Sequence, residues 1–274
     1  MLTDAELAHY HDEGYFSPVP VLSSAEVADY RGRLEAFEAT QGGHLKAEQR
    51  NKCHLLFRWI DELMRDPRVL DPIAQILGPD LLCWNTIFWI KEPRAESFVS
   101  WHQDITYWGL AGGEVVSAWL ALSPASEAAG CMRVLPKSHL EPAMAHQDRY
   151  AATNMLTRGQ EIDGIDEEAT VSMPLEPGQM SLHSVRLAHA SGPNETADRR
   201  IGLSMHFMPT LAYQSAADWD SAALVRGSDS YGHFEHTPPV TGDFAPDAVA
   251  FHAKAGEAVR KILYRDAERD TQKL

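Results

Sequence analysis

Long hydrophobic runs are absent from this sequence. Nowhere in the 274 residues does an apolar stretch approach the roughly eighteen positions that a membrane-spanning helix needs. The opening residues, Met1-Leu2-Thr3-Asp4-Ala5-Glu6, contain neither the basic nor the apolar part of a secretory signal. Cysteine is scarce too: Cys53, Cys83 and Cys131 are odd in number, far apart and form no Cys-x-x-Cys, which argues against a disulfide framework or a zinc ribbon. A reducing compartment is the simplest reading, and a cytoplasmic location is expected. Positive charge is also in short supply. With 24 Lys and Arg against 39 Asp and Glu the formal net charge is −15, which argues against nonspecific binding to nucleic acid or anionic membrane. No internal repeat or low-complexity tract is evident.

What the chain does have is enough apolar content, 44%, to bury a full core. Thr3 with Glu6 and Ser23 with Glu26 have the capping-box spacing, and each precedes an amphipathic stretch. The first of these helices should stop near Gly14. Apolar segments at 55–64 and 71–77, the latter halted by Gly78-Pro79, complete a helical N-terminal part over 1–79. From residue 81 the pattern changes to short strand-like runs at 81–90, 115–122, 132–135, 179–183 and 201–208, separated by Gly, Pro and Ser clusters. These predict a β-sandwich jelly roll over 80–212, a double-stranded β-helix of cupin type. The remainder, 213–274, should be a loop and a closing helix at 246–264, with the whole chain forming a single domain.

Chemistry concentrates in Ser100-Trp101-His102-Gln103-Asp104 and in Leu187-Ala188-His189-Ala190-Ser191-Gly192. On a strand, residues two apart share a face, so His102 and Asp104 can reach one metal while Gln103 points away. With His189 they make two imidazoles and a carboxylate, the facial set of mononuclear non-haem Fe(II) oxygenases. A His-x-Asp tripeptide alone also suits a surface loop, so its context matters. Arg200 follows His189 by eleven residues, across a segment dense in turn formers, which suggests a hairpin that brings a guanidinium near the metal to grip a carboxylate. His183, at an even offset from His189, is the alternative downstream ligand. Arg199 competes with Arg200, but adjacent strand residues face opposite ways, so only one can serve. His206 reads as a hydrogen-bonded core histidine and His139 as a loop residue bonded locally.

Taken with flanking pieces, these motifs resemble the phytanoyl-CoA dioxygenase family of Fe(II)- and 2-oxoglutarate-dependent oxygenases. The resemblance runs over nearly the whole chain. It rests on Gly14-Tyr15 after the first helix, Trp101-His102-Gln103-Asp104 and Val134-Leu135-Pro136-Lys137-Ser138-His139. It continues through Glu176-Pro177-Gly178, Leu182-His183-Ser184 and His189-Ala190-Ser191-Gly192-Pro193-Asn194 with Arg200. Lys137 departs from the glycine usual in relatives. The resemblance implies that His102, Asp104 and His189 bind iron, that Arg200 binds the distal carboxylate of 2-oxoglutarate, and that Trp119 and Ser191 add cosubstrate contacts. It also implies hydroxylation by O2 with release of succinate and CO2. Asp104 stands where related halogenases have Ala or Gly, so hydroxylation rather than halogenation is expected.

Aromatics crowd this region. Trp84 and Phe88 read as core, whereas Tyr107 and Trp108 directly follow the His-x-Asp pair and are expected to line the pocket mouth and contact substrate. The glycine-rich 226–236 segment is either a lid or an ordinary surface loop. A small polar metabolite, of the zwitterionic amine or aminophosphonate kind, is the expected substrate. Oligomeric state is open. Two rival readings use the same three ligands: a metal-dependent hydrolase and a non-catalytic, cupin-like binding protein.

Overall fold

The structure, a computed structural model, describes residues 1–271. Its N-terminal part holds α1 (Asp4–Glu13), β1 (Tyr15–Pro20), α2 (Ser24–Gln41), α3 (Ala47–Arg50), α4 (Arg58–Met64) and α5 (Pro67–Leu77). Then come β2 (Leu81–Lys91), β3 (Val99–His102), α6 (Ile105–Trp108), β4 (Leu110–Ala111), β5 (Val116–Ala121), β6 (Met132–Val134), β7 (Gln147–Asp148) and β8 (Gln160–Glu161). The chain continues through β9 (Val171–Met173), β10 (Gln179–Ser184), β11 (His189–Ser191), β12 (Arg200–Pro209), β13 (Tyr213–Gln214), β14 (Ser221–Arg226), β15 (Glu235–His236) and α7 (Pro246–Leu263).

Both expected capping boxes form. The Thr3 and Ser23 amides donate to the carboxylates of Glu6 and Glu26 at 2.7 and 2.8 Å, and each hydroxyl accepts the return bond from the glutamate amide at 3.3 Å. Gly14 ends α1 in the left-handed region at φ 87°, where a Cβ would also collide with His139 and Leu187. The His139 ring bonds the carbonyl of His11 at 3.0 Å, so its partner lies across the fold rather than in its own loop. No helix among the described residues is long and apolar enough to cross a membrane.

Two sheets carry the site. The larger runs β1-β10-β5-β12-β2-β14-β15 and the smaller β3-β11-β6-β9. From β2 onward the chain crosses repeatedly between them: β2, β5, β10 and β12 lie in the large sheet, and β3, β6, β9 and β11 in the small one. β1 and β14, from either end of the sequence, extend the large sheet beyond 80–212.

The two faces of the large sheet follow the period of two that a strand imposes. Ile201, Leu203, Met205 and Phe207 of β12, Val116, Ala118 and Leu120 of β5, and Met180 and Leu182 of β10 pack against Leu34 of α2, Trp59, Ile60 and Leu63 of α4, and Val69 and Ile73 of α5. Burying side chains of this size contributes about 1.5–3 kcal/mol each. The alternate residues, Arg200, Gly202, Ser204 and His206 of β12, Ser117 and Trp119 of β5, and Ser181 and His183 of β10, take the opposite face. Helices thus cover one side and consume its apolar residues, leaving polar groups to the gap between the sheets.

Candidate metal centre and adjoining cavities

β3 and β11 pair antiparallel with His102 directly opposite His189, which sets their ring centroids 4.1 Å apart. Asp104 completes the cluster. Its Oδ1 lies 3.2 Å from His102 Nε2 and its Oδ2 lies 4.0 Å from His189 Nε2. One ligand atom from each of His102, Asp104 and His189 falls within 4.8 Å of the others, and all three residues are buried.

The local route to this cluster differs from simple strand parity. β3 ends at His102, and Asp104 has φ −61° and ψ −38°, helical values, immediately before α6. Asp104 therefore reaches the cluster from a helix start, not from the same strand face as His102. Gln103 does point away, and it pins the turn: its Nε2 donates to the Arg186 carbonyl at 2.5 Å and its Oε1 accepts from the Met144 amide at 2.8 Å.

The tautomers are fixed by the backbone. Nδ1 of His102 bonds the carbonyl of Ser100 at 2.9 Å, and Nδ1 of His189 bonds that of Leu187 at 3.0 Å. A carbonyl only accepts, so each Nδ1 carries a proton and each Nε2 is the ring atom that faces the cluster. Burial and the neighbouring His102 push His189 down to about 4, so it is neutral at physiological pH. Burial opposes ionisation of Asp104, but His189, His102 and His206 more than offset this and hold its carboxyl well below the usual range. Two imidazoles and one carboxylate, convergent and buried, fit a divalent metal on one face.

His183 and His189 are not on one strand, as the even offset suggested. His183 belongs to β10 of the large sheet and His189 to β11 of the small one, with the chain turning between them. Their rings approach to 4.8 Å across the gap, yet His183 stays outside the ligand cluster. His206 is a bonded core histidine as expected, with Nδ1 2.9 Å from Ser117 Oγ and Nε2 3.2 Å from Ser204 Oγ.

Nor do His189 and Arg200 flank a hairpin. β11 pairs with β3 and β6, whereas β12 pairs with β2 and β5, so residues 192–199 carry the chain from one sheet to the other. The guanidinium still arrives beside the triad because the two sheets face each other. Arg199 and Arg200 do separate as adjacent strand residues must. Arg199 turns to the helices, meeting Glu38 at 2.7 Å and Glu92 at 3.0 Å. Arg200 turns inward, stacked over Trp119 at 5.2 Å, with Nε and Nη2 buried and without a hydrogen-bond partner. Burial pushes it down to about 10.

A buried guanidinium without a counter-ion costs several kcal/mol. A second basic group stands beside it: Lys91 lies opposite Arg200 on β2 and is pushed down to about 6 by burial and by Arg200. Its Nζ donates to Ser191 Oγ at 2.7 Å and also to the Gly192 carbonyl. Arg200, Trp119, Ser191, His183 and Ser204 surround a small cavity that ends on the triad. Such a site suits a bound anion. Gly202 is required there, since a Cβ would fall 1.8 Å from the Trp119 ring.

A larger cavity of about 530 Å³ opens on the other side of His102 and Asp104. Tyr107 and Trp108 both line it, and Trp108 with Trp89 also borders the anion cavity. Trp84 is core, its Nε1 held by Asp220 at 2.7 Å, whereas Phe88 is at once core and cavity wall. The 226–236 segment contributes nothing to either lining; residues 152–157, Gln160 and Leu263 close the large cavity instead. Arg50 and the 152–157 segment were not foreseen. Nothing in their local sequence marks them, because they meet the site only through tertiary packing. Lys91 had one sign, a charge ending the apolar run 81–90.

The sequence model of the phytanoyl-CoA dioxygenase (PhyH) family matches residues 10–202. A probable alpha-ketoglutarate-dependent hypophosphite dioxygenase from Stutzerimonas stutzeri is 27% identical over 245 residues, covering 82% of each chain. Among solved structures, an apo form of the non-heme monooxygenase ThoJ is 33% identical, covers 94% of this chain and 97% of its own, and superposes with a TM-score of 0.84. CytC3 with Fe(II) and alpha-ketoglutarate shares the fold at 19% identity and a TM-score of 0.67, covering 89% of this chain and 97% of its own.

Proposed function

We propose, on the premise that this chain belongs to the phytanoyl-CoA dioxygenase family, that His102, Asp104 and His189 are its iron ligands and that Arg200, Trp119 and Ser191 hold its 2-oxoglutarate. The enzyme is a 2-oxoglutarate-dependent non-haem iron dioxygenase. One observation carries the residue assignment: the inward guanidinium of Arg200, buried and unpartnered, opens on the same small cavity as the triad. A dicarboxylate held at one end by the metal and at the other by Arg200 relieves that buried charge. The sheet order, with the chain crossing repeatedly between two sheets, supports a jelly-roll reading and a single domain.

When bound, Fe(II) supplies the reaction of O2 with 2-oxoglutarate that ends in substrate hydroxylation and release of succinate and CO2. The residues supply geometry. His102 and His189 would offer Nε2 to the metal, and Asp104 would offer a carboxylate oxygen where related halogenases have Ala or Gly. Lys91 holds the Ser191 hydroxyl, and Trp119 supports the plane of Arg200. Tyr107 and Trp108 exclude water from the substrate side.

The substrate is a small molecule. The expectation of a zwitterionic amine or aminophosphonate is supported at its acidic end, by Arg50 in the large cavity. Its ammonium end has no carboxylate in that lining other than Asp104. Three free, buried cysteines suit a reducing cytoplasm.

The test is inexpensive. Under anaerobic conditions, Fe(II) with 2-oxoglutarate is expected to give a weak visible charge-transfer band, and succinate should accumulate in air. A metal hydrolase or a non-catalytic binding protein would give neither, and the absence of both would overturn the proposal.

A further inference from the structure

The large cavity has an uneven lining. Much of it is apolar, from Ile87, Phe88, Trp89, Trp108, Leu156 and Leu263. The single cationic group in that lining is Arg50, at the end of α3. Its Nε donates to the Leu45 carbonyl at 3.3 Å. No carboxylate pairs with it among the described residues, unlike Arg199 just across the fold, which has Glu38 and Glu92. Burial and Arg199 push its guanidinium below the usual range although Glu92 and Glu38 pull the other way, and burial is the larger effect. Among the other polar groups of the wall, Asn154 donates to Ser100 and Gln160 accepts from the Arg158 amide, while Asn51, beside Arg50, keeps a buried Oδ1 that only accepts and so offers nothing to an anion.

Size is the second constraint. At about 530 Å³ the cavity lies within the range of roughly 300–1,000 Å³ that receives drug-sized ligands. A molecule the size of hypophosphite would leave most of it to water, and aromatic walls gain nothing from wet space. The reacting atom must come to the His102–Asp104 end, where Tyr107 and Trp108 stand.

From these observations we infer that the substrate is an amphipathic acid: a carboxylate or phosphonate group pairs with Arg50, while an aromatic or alicyclic body fills the space between Arg50 and the metal centre. The inference rests on the reading of the triad as the reaction centre. Hydroxylation then falls on the apolar body, away from the acid, because the acid is held at Arg50. The orientation is that of a ligand gripped at its charged end and oxidised along its apolar length.

The inference is tested by binding, so that its failure can be told from failure of the reaction class. The Fe(II)-loaded protein is held anaerobically with saturating 2-oxoglutarate, which fills the Arg200 cavity and removes it as a competing anion site. Quenching of the cavity tryptophans, Trp89 and Trp108, is titrated with 4-phenylbutyrate, its amide 4-phenylbutyramide, and methylphosphonate. The parent protein should bind the acid about ten- to a hundredfold more tightly than the amide, the range of a charge-assisted hydrogen bond. Methylphosphonate should bind more weakly than 4-phenylbutyrate. In Arg50→Gln the preference for acid over amide should vanish while amide binding and 2-oxoglutarate affinity stay as in the parent, and Arg50→Lys should retain part of it. Equal binding of acid and amide by the parent, failure of the acid to bind, methylphosphonate binding as tightly, or an undiminished preference in Arg50→Gln would each overturn the inference. The parent comparison needs no variant, so a poorly folding Arg50→Gln does not remove the test. Succinate release without added substrate reports separately on the reaction class.

Discussion

At the scale of single residues, the triad makes a demand that substitution can check. A face of three ligands loses iron affinity when reduced to two, so His102→Ala, Asp104→Ala and His189→Ala are each expected to abolish 2-oxoglutarate turnover while far-UV circular dichroism stays unchanged. His183→Ala should keep turnover, because its ring belongs to the opposite sheet and contributes no ligand atom. The reverse pattern for His183 and His189 would show that the downstream ligand is misassigned. The adjacent arginines give a sharper contrast. Arg200→Ala should raise the 2-oxoglutarate KM about ten- to a hundredfold, the loss of a charge-assisted pair worth roughly 1.5–3 kcal/mol. Arg199→Ala removes the ion pair to Glu38 and Glu92 that ties β12 to α2, so it should lower Tm and leave that KM almost unchanged. Equal KM effects would sink the assignment.

At the scale of elements, legibility followed the origin of each signal. Capping boxes at Thr3 and Ser23 and strand runs such as 81–90 and 201–208 came out nearly to the residue, because caps and alternation are local. Expected segments at 55–64 and 71–77 became α4 and α5, the latter starting at Asp66-Pro67, a cap and first-turn proline that mark the helix start. The strands β1, β9 and β14 were not foreseen, being set by pairing with neighbouring strands rather than by composition. For the site, the residues that converge were legible and the route by which they converge was not: Asp104 sits at the start of α6, and residues 192–199 cross between sheets. Helix α6 has a measurable consequence of its own. It sets Tyr107 and Trp108 in the wall of the large cavity, with Trp108 also packed edge-on against His206 at 4.4 Å. Trp108→Ala should open a path for water between the two cavities. The expected result is less hydroxylated product per succinate formed, with 2-oxoglutarate affinity little changed. An unaltered ratio in both Trp108→Ala and Tyr107→Ala would make these aromatics structural.

At the scale of the whole molecule, the centre lies in the gap between two sheets, so ligand binding must be felt as global stability. His102 and His189 come from the small sheet, Arg200 and Trp119 from the large one, and Lys91 of the large sheet donates to Ser191 of the small one across the gap beside the unpaired Arg200. A metal that binds only the folded chain stabilises it by mass action, about 2.7 kcal/mol at a hundredfold excess over its Kd. For a chain of this size that corresponds to a rise in Tm of about 5 °C. Ni(II) is a suitable probe, since it takes the same imidazole and carboxylate donors at least as strongly as Fe(II). Thermal melts should show a first rise on adding Ni(II) and a second on adding 2-oxoglutarate, the second appearing only when metal is present because one end of the cosubstrate needs it. The variants should separate the two steps. His189→Ala should lose both rises, whereas Arg200→Ala should keep the metal rise and lose the cosubstrate one. A cosubstrate rise of full size without metal, or one that survives in Arg200→Ala, would mean that 2-oxoglutarate does not bridge the two sheets at this centre.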